Sequence, residues 1–113
     1  MLIAILPNSS NTETLLNNLS EADFDLAQVS VVMRDPRLRD AIAKDAGPLK
    51  GANLDNLAAR LAGAGLPQAE NKAYLDAVMQ GKVLVAIVTP PESEPAAKEM
   101  LQDHSAELIK GLP

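Results

Sequence analysis

The 113-residue sequence contains no cysteine and no tryptophan, and its only aromatic side chains are Phe24 and Tyr74. Without cysteine there is no disulfide framework, no thiolate nucleophile and no Cys-based metal site. Without aromatic anchors the core must be assembled from Leu, Val, Ile, Ala and Met, many small pieces in place of a few large ones. Basic residues are also scarce, and the formal net charge is −5. The one basic group, Arg34, Arg37 and Arg39, is interleaved with Asp35 and Asp40. It reads as a solvated, self-paired segment, and a nucleic-acid partner is not expected. The apolar runs at residues 1–6 and 83–88 fall far short of the ~18 residues a membrane span needs. Residues 1–6 carry no positively charged leader, and Pro7, Asn8 and Ser9 close the run too early for a secretory segment. The expectation is a soluble, cytoplasmic protein with no membrane contact.

What is present suits one domain spanning residues 1–113. Apolar residues make up 47% of the chain, enough for a single core without metal or crosslink. Residues 1–6 and 83–88 are apolar throughout, which predicts strands buried on both faces, the second running from Lys82 to Thr89. Residues 28–33 alternate, with Val29, Val31 and Met33 on one side and Gln28 and Ser30 on the other. That pattern predicts a half-exposed strand near an edge. Residues 106–112 are mixed and fit either a final edge strand or a helical tail.

Helices are predicted between these strands. Ser10 and Glu13 have capping-box spacing ahead of Leu15, Leu16, Leu19 and Ala22. Asn53 is positioned to cap a short helix carrying Leu54, Leu57, Ala58 and Leu61, which Gly63-Ala-Gly65 ends. Pro67 starts a longer one with an apolar stripe of Ala73, Tyr74, Ala77 and Val78, and Gly81 ends it. Ser93 caps the last, with Ala96, Ala97, Met100 and Leu101 facing inward and His104 at its end.

Two all-apolar strands belong at the centre of a sheet and two mixed ones at its edges. The order of elements then predicts an α+β fold, a ferredoxin-like βαββαβ sandwich with a helical Ala/Gly-rich insertion at about 37–80, between strands 2 and 3. The runner-up is a three-stranded α/β layer with helices on both faces and a helical C-terminal segment. In the sandwich, Ile3 and Ile5 point away from Leu2, Ala4 and Leu6, so a second sheet face needs cover. A homodimer is the expected solution, with the insertion sharing the task.

Two segments resemble a known family. Residues 23–35, Asp-Phe-Asp-Leu-Ala-Gln-Val-Ser-Val-Val-Met-Arg-Asp, form the first. Gly65-Leu-Pro-Gln-Ala-Glu70, Tyr74, Ala77-Val78, Gly81-Lys82 and the strand Val83-Leu-Val-Ala-Ile-Val88 form the second. Together they cover about half the chain and resemble the bacterial general stress proteins, small heat- or salt-induced proteins with a glycine-rich centre. The resemblance implies a ferredoxin-like domain, a stress association and no established catalytic residues. The family's longer Gly/Ala-rich middle is here shortened to residues 45–65, which removes the basis for carrying over any membrane contact.

No catalytic, cofactor-binding or metal-ligating residue is assigned. His104 is the only histidine; it lacks the companions that zinc or general-base work requires, and it suits a helix C-terminus. Tyr74 reads as a core residue whose hydroxyl finds a backbone partner. The Asn8–Thr12 loop lacks the glycines of a phosphate cradle. Glu92 with Glu94, and Asp103 with Glu107, carry no motif that sets one acid apart from the other. No P-loop, nucleophile elbow or dinucleotide fingerprint is present. The leading expectation is a non-catalytic domain acting by self-association or protein contacts. The alternative is a small-ligand-sensing domain with a cleft at a dimer interface, and an enzyme using carboxylates alone comes third.

Overall fold

The two all-apolar segments form neighbouring strands. In a computed structural model describing residues 1–113, β1 (Leu2–Leu6) pairs antiparallel with β3 (Val83–Ile87), Ala4 lying opposite Val85. β2 (Val29–Val32) flanks β3 and β4 (Glu107–Gly111) flanks β1, both antiparallel. The order β2-β3-β1-β4 puts the expected strands at the centre and the edges, and the C-terminal segment is a strand. The architecture is α+β, with one four-stranded antiparallel sheet and five α-helices.

Alternate residues of each strand project to opposite faces. On one face Leu2, Ala4, Leu6, Val83, Val85 and Ile87 are buried under α1 (Ser9–Glu21) and α5 (Glu94–Asp103), through Leu15, Leu19, Ala97 and Leu101. On the other face Ile3, Ile5, Leu84 and Ala86 have no exposed surface. They are covered by Leu49, α3 (Leu57–Gly63) and α4 (Gln68–Met79), through Leu57, Leu61, Tyr74 and Val78. These helices, with α2 (Pro36–Ile42) before them, lie between β2 and β3 in the chain. The insertion therefore closes the second face by itself, and the uncovered face that argued for a homodimer is not there. Asn71, not Ala73, completes the buried side of α4, its amide donating to the Ala58 carbonyl at 3.0 Å.

The insertion is fastened to the edge strand by a serine. Ser30 Oγ donates to the Ala46 carbonyl at 2.6 Å and accepts from the Leu49 amide at 2.7 Å. All of β2 is consequently buried, Ser30 included, where alternation alone predicts a polar side facing water. Gly47 lies between the two bonded positions at φ 77°, and a Cβ there would stand 2.7 Å from Val29 C and 2.8 Å from Ser30 N. Close approach of the 46–49 loop to β2 thus requires glycine at 47.

Capping differs from expectation at the helix starts. Asn8 caps α1, its side chain accepting from the Asn11 amide at 2.8 Å, and Ser10 lies inside the helix. Asn53 accepts from the amides of Asp55 and Asn56 in a turn before α3 and does not cap it. Ser93 occupies the position before α5 without a side-chain bond. An extended residue after Pro7 reaches the free amides first, which leaves the capping-box spacing at Ser10 unused.

The helix ends follow one rule. α1, α3, α4 and α5 each finish with a left-handed residue, at Asp23, Gly65, Gly81 and Ser105. The next amide reaches back five residues: Phe24 to Leu19 O, Leu66 to Leu61 O, Lys82 to Ala77 O and Ala106 to Leu101 O. This is the Schellman closure, which satisfies carbonyls a helix end leaves open.

Three substitutions are expected to change stability. Ser30→Ala strips both partners of a buried hydroxyl and costs about 1–3 kcal/mol in urea unfolding, while Gly47→Ala costs at least as much; wild-type midpoints for both contradict the fastening. Ser105→Gly relieves a left-handed serine with no side-chain bond and stabilises by about 0.5–1 kcal/mol, read as a raised midpoint with unchanged slope.

Candidate functional site

His104 and Tyr74, the two candidates for acid–base chemistry, are engaged in holding the fold. His104 caps α5, and its Nε2 lies 2.9 Å from the side-chain nitrogen of Asn18 on α1, while its carbonyl accepts from the Asn11 side chain at 3.0 Å. The ring fastens α5 to α1. Tyr74, 3% exposed, donates from its hydroxyl to the Leu108 carbonyl at 2.6 Å. Leu108 sits at φ 53° in a bulge, because β4 spends both Leu108 and Ile109 opposite Ala4 of β1. The bulge frees that carbonyl from the ladder for the tyrosine.

The basic segment is dispersed in the same way. Arg34 donates to the Met79 carbonyl at the end of α4 at 3.0 Å, and Asp35 caps α2 through the amides of Arg37 and Leu38. Arg39 holds Asp40 at 2.7 Å and Asp45 at 3.2 Å. A bond from the Gly51 amide, and then the Arg39 guanidinium, hold the Asp45 carboxyl below its ordinary value. The expected loop from Asn8 to Thr12 is instead the first turn of α1, with Thr12 Oγ1 donating to the Asn8 carbonyl at 2.9 Å. Of the paired acids, Glu107 binds Lys82 at 2.6 Å and Glu94 lies 4.0 Å from the Met1 ammonium. No group of three or more His, Cys, Asp or Glu side chains is placed to hold a metal ion, and no helix is long and apolar enough to cross a membrane.

A concave site is formed elsewhere, by residues the sequence pattern does not single out. An open groove of about 620 Å³ runs between α1 and the segment 40–46, and it is mostly apolar. Leu16, Leu26, Val29 and Ile42 supply its larger side chains, with Glu13 on the α1 wall and Lys44 on the opposite one. The volume lies within the ~300–1,000 Å³ of small-molecule sites. The groove exists because the facing wall is built from Ala41, Ala43 and Ala46, too short to reach the leucines of α1. α2 deepens the gap, since none of its residues is buried. The alanine run is a readable sequence signal, but it acquires meaning only once α2 is known to lie beside α1.

No family model matches the chain, and no curated protein or solved structure is significantly similar to it.

Burial, and then the Glu70 charge, raise the Tyr74 hydroxyl above its ordinary 10.0. Tyr74 is the only tyrosine, so tyrosinate absorbance reads it alone. The folded protein should titrate at higher pH than the urea-unfolded chain, with the tyrosine's contribution to stability present below the unfolded value of about 10 and lost as pH rises through the folded one. Coincident titrations contradict the buried bond to Leu108.

Proposed function

We propose that this protein is a non-catalytic binding domain whose groove between α1 and the segment 40–46 receives a small ligand. One observation carries this reading: a mostly apolar recess of about 620 Å³ stands open beside the hydrophobic core, in a chain whose second sheet face is already closed. The candidate groups elsewhere, His104, Tyr74, Arg39 and Glu107, are bound to backbone or to neighbouring side chains, and none of them forms an acid–base or nucleophile–base pair in the recess. The site lies within one chain, so the ligand-sensing alternative is favoured in modified form, without a cleft between subunits. Self-association retains no uncovered sheet face to support it.

The fold proposal is a ferredoxin-like βαββαβ sandwich with β1 and β3 central, α1 and α5 on one face, and a helical insertion where the plain pattern has a short connection between β2 and β3. A stress-associated role in bacteria rests on the resemblance of residues 23–35 and 65–88 to general stress proteins.

A thermal-shift screen of amino acids, nucleotides and aliphatic compounds tests the binding role. A ligand at roughly 100 times its dissociation constant adds about 2.7 kcal/mol to stability. The expected result is a raised midpoint that Ala27→Phe abolishes by filling the groove from an exposed position. Shifts that survive Ala27→Phe, or no shift from any compound, contradict it.

A further inference from the structure

Resting on that groove as the binding site, we propose that its ligand is an aliphatic compound bearing one positive charge, with its chain along Leu16, Val29 and Ile42 and its cationic head at Glu13. The apolar side chains lining the groove are all aliphatic, since neither Phe24 nor Tyr74 reaches it. There is no aromatic face on which a nucleobase or other planar ring can stack, and apart from Asn17 the polar lining is Glu13, Asp40, Asp45 and Lys44, three of them carboxylates that repel a phosphate. An aliphatic chain satisfies such walls by burial alone.

The charge follows from what each wall carries. Asp40 and Asp45 lie on the same side as Lys44 and are held by Arg39 at 2.7 and 3.2 Å. On this wall the two carboxylates offset the two cations, so an anionic head gains little from Lys44. The opposite wall is α1, which contains no Lys or Arg at all. Glu13 is the one ionisable group it presents to the groove, and it is exposed and in no ion pair. An ammonium placed there meets an uncompensated carboxylate, whereas a carboxylate placed there is repelled. The net charge of −5 draws cations to the protein as a whole and repels anions.

Calorimetric titration of the whole protein with octylammonium, octanol and octanoate, each as a monomer in low salt, separates the apolar and ionic parts. Octylammonium should bind about tenfold more tightly than octanol, as expected for one partly solvated charge pair, and octanoate more weakly than either. Added salt should narrow the gap. Glu13→Gln should remove the preference for ammonium over alcohol, and Ala27→Phe should abolish binding of all three. Equal binding of octylammonium and octanol, tighter binding of octanoate, or a preference that survives Glu13→Gln overturns the assignment of charge while leaving the groove as a site. If no octyl compound binds, the inference and the groove reading fall together.

Discussion

Ile3, Ile5, Leu84 and Ala86 leave no surface to solvent, although they project from the sheet on the side opposite α1 and α5. Keeping that side dry is the constraint on which the rest of the structure depends. Two adjacent strands without a polar residue cannot form a sheet with a wet face, so a helical layer is required on each side. The first comes from the helices that follow β1 and β3. The second comes from the 33–82 connection, which folds back across β2 instead of turning directly into β3. Its attachment is concentrated at Ser30, whose hydroxyl bonds Ala46 and Leu49, and at Gly47, the one residue type that fits the space against β2. Burial of Leu49, Leu57, Leu61 and Leu66 follows from that placement.

The groove is a by-product of the same folding back. Having left β2 at Met33, the chain forms α2 on the outside and must then return to Ser30 through residues 43–46. The side chains on the return are alanine, lysine and aspartate, so that wall is thin and a recess is left outside Leu16 and Val29, which are themselves buried. The charged groups sort themselves by wall, with Arg39 neutralising its neighbours and Glu13 left alone on α1. A recess with aliphatic walls and one free carboxylate suits recognition more than reaction, because it offers burial and a single charge but no proton relay.

Much of this is legible in the residues. Uninterrupted aliphatic runs mark β1 and β3, and Gly81 marks the end of α4, because both signals are local and strong. What could not be read depends on contacts distant in sequence. Ser30 reads as exposed because alternation reports a polar side chain, not the loop sixteen residues on that bonds it. The cap at Asn8 displaces the position favoured by spacing at Ser10, and Asn56 stands ahead of α3 in place of Asn53 without a side-chain bond, since competing Ser and Asn residues differ little in propensity and backbone geometry decides between them. Residues 37–66, rich in Ala and Gly, carry too weak a pattern to reveal that they cover the second face of the sheet, which is why the pattern alone points to a partner copy there. The groove went unread for a related reason: short side chains look like low information until the opposing helix is in place.

In this fold one chain closes both faces of its own sheet. The most direct test is thermal unfolding of the ligand-free protein over about a hundredfold range of concentration, since a partner copy that covers a face makes the midpoint depend on concentration by mass action. The account predicts one midpoint throughout, with β1 and β3 amides equally protected from exchange at both extremes. A midpoint that rises with concentration, accompanied by loss of protection in the dilute sample, would contradict it.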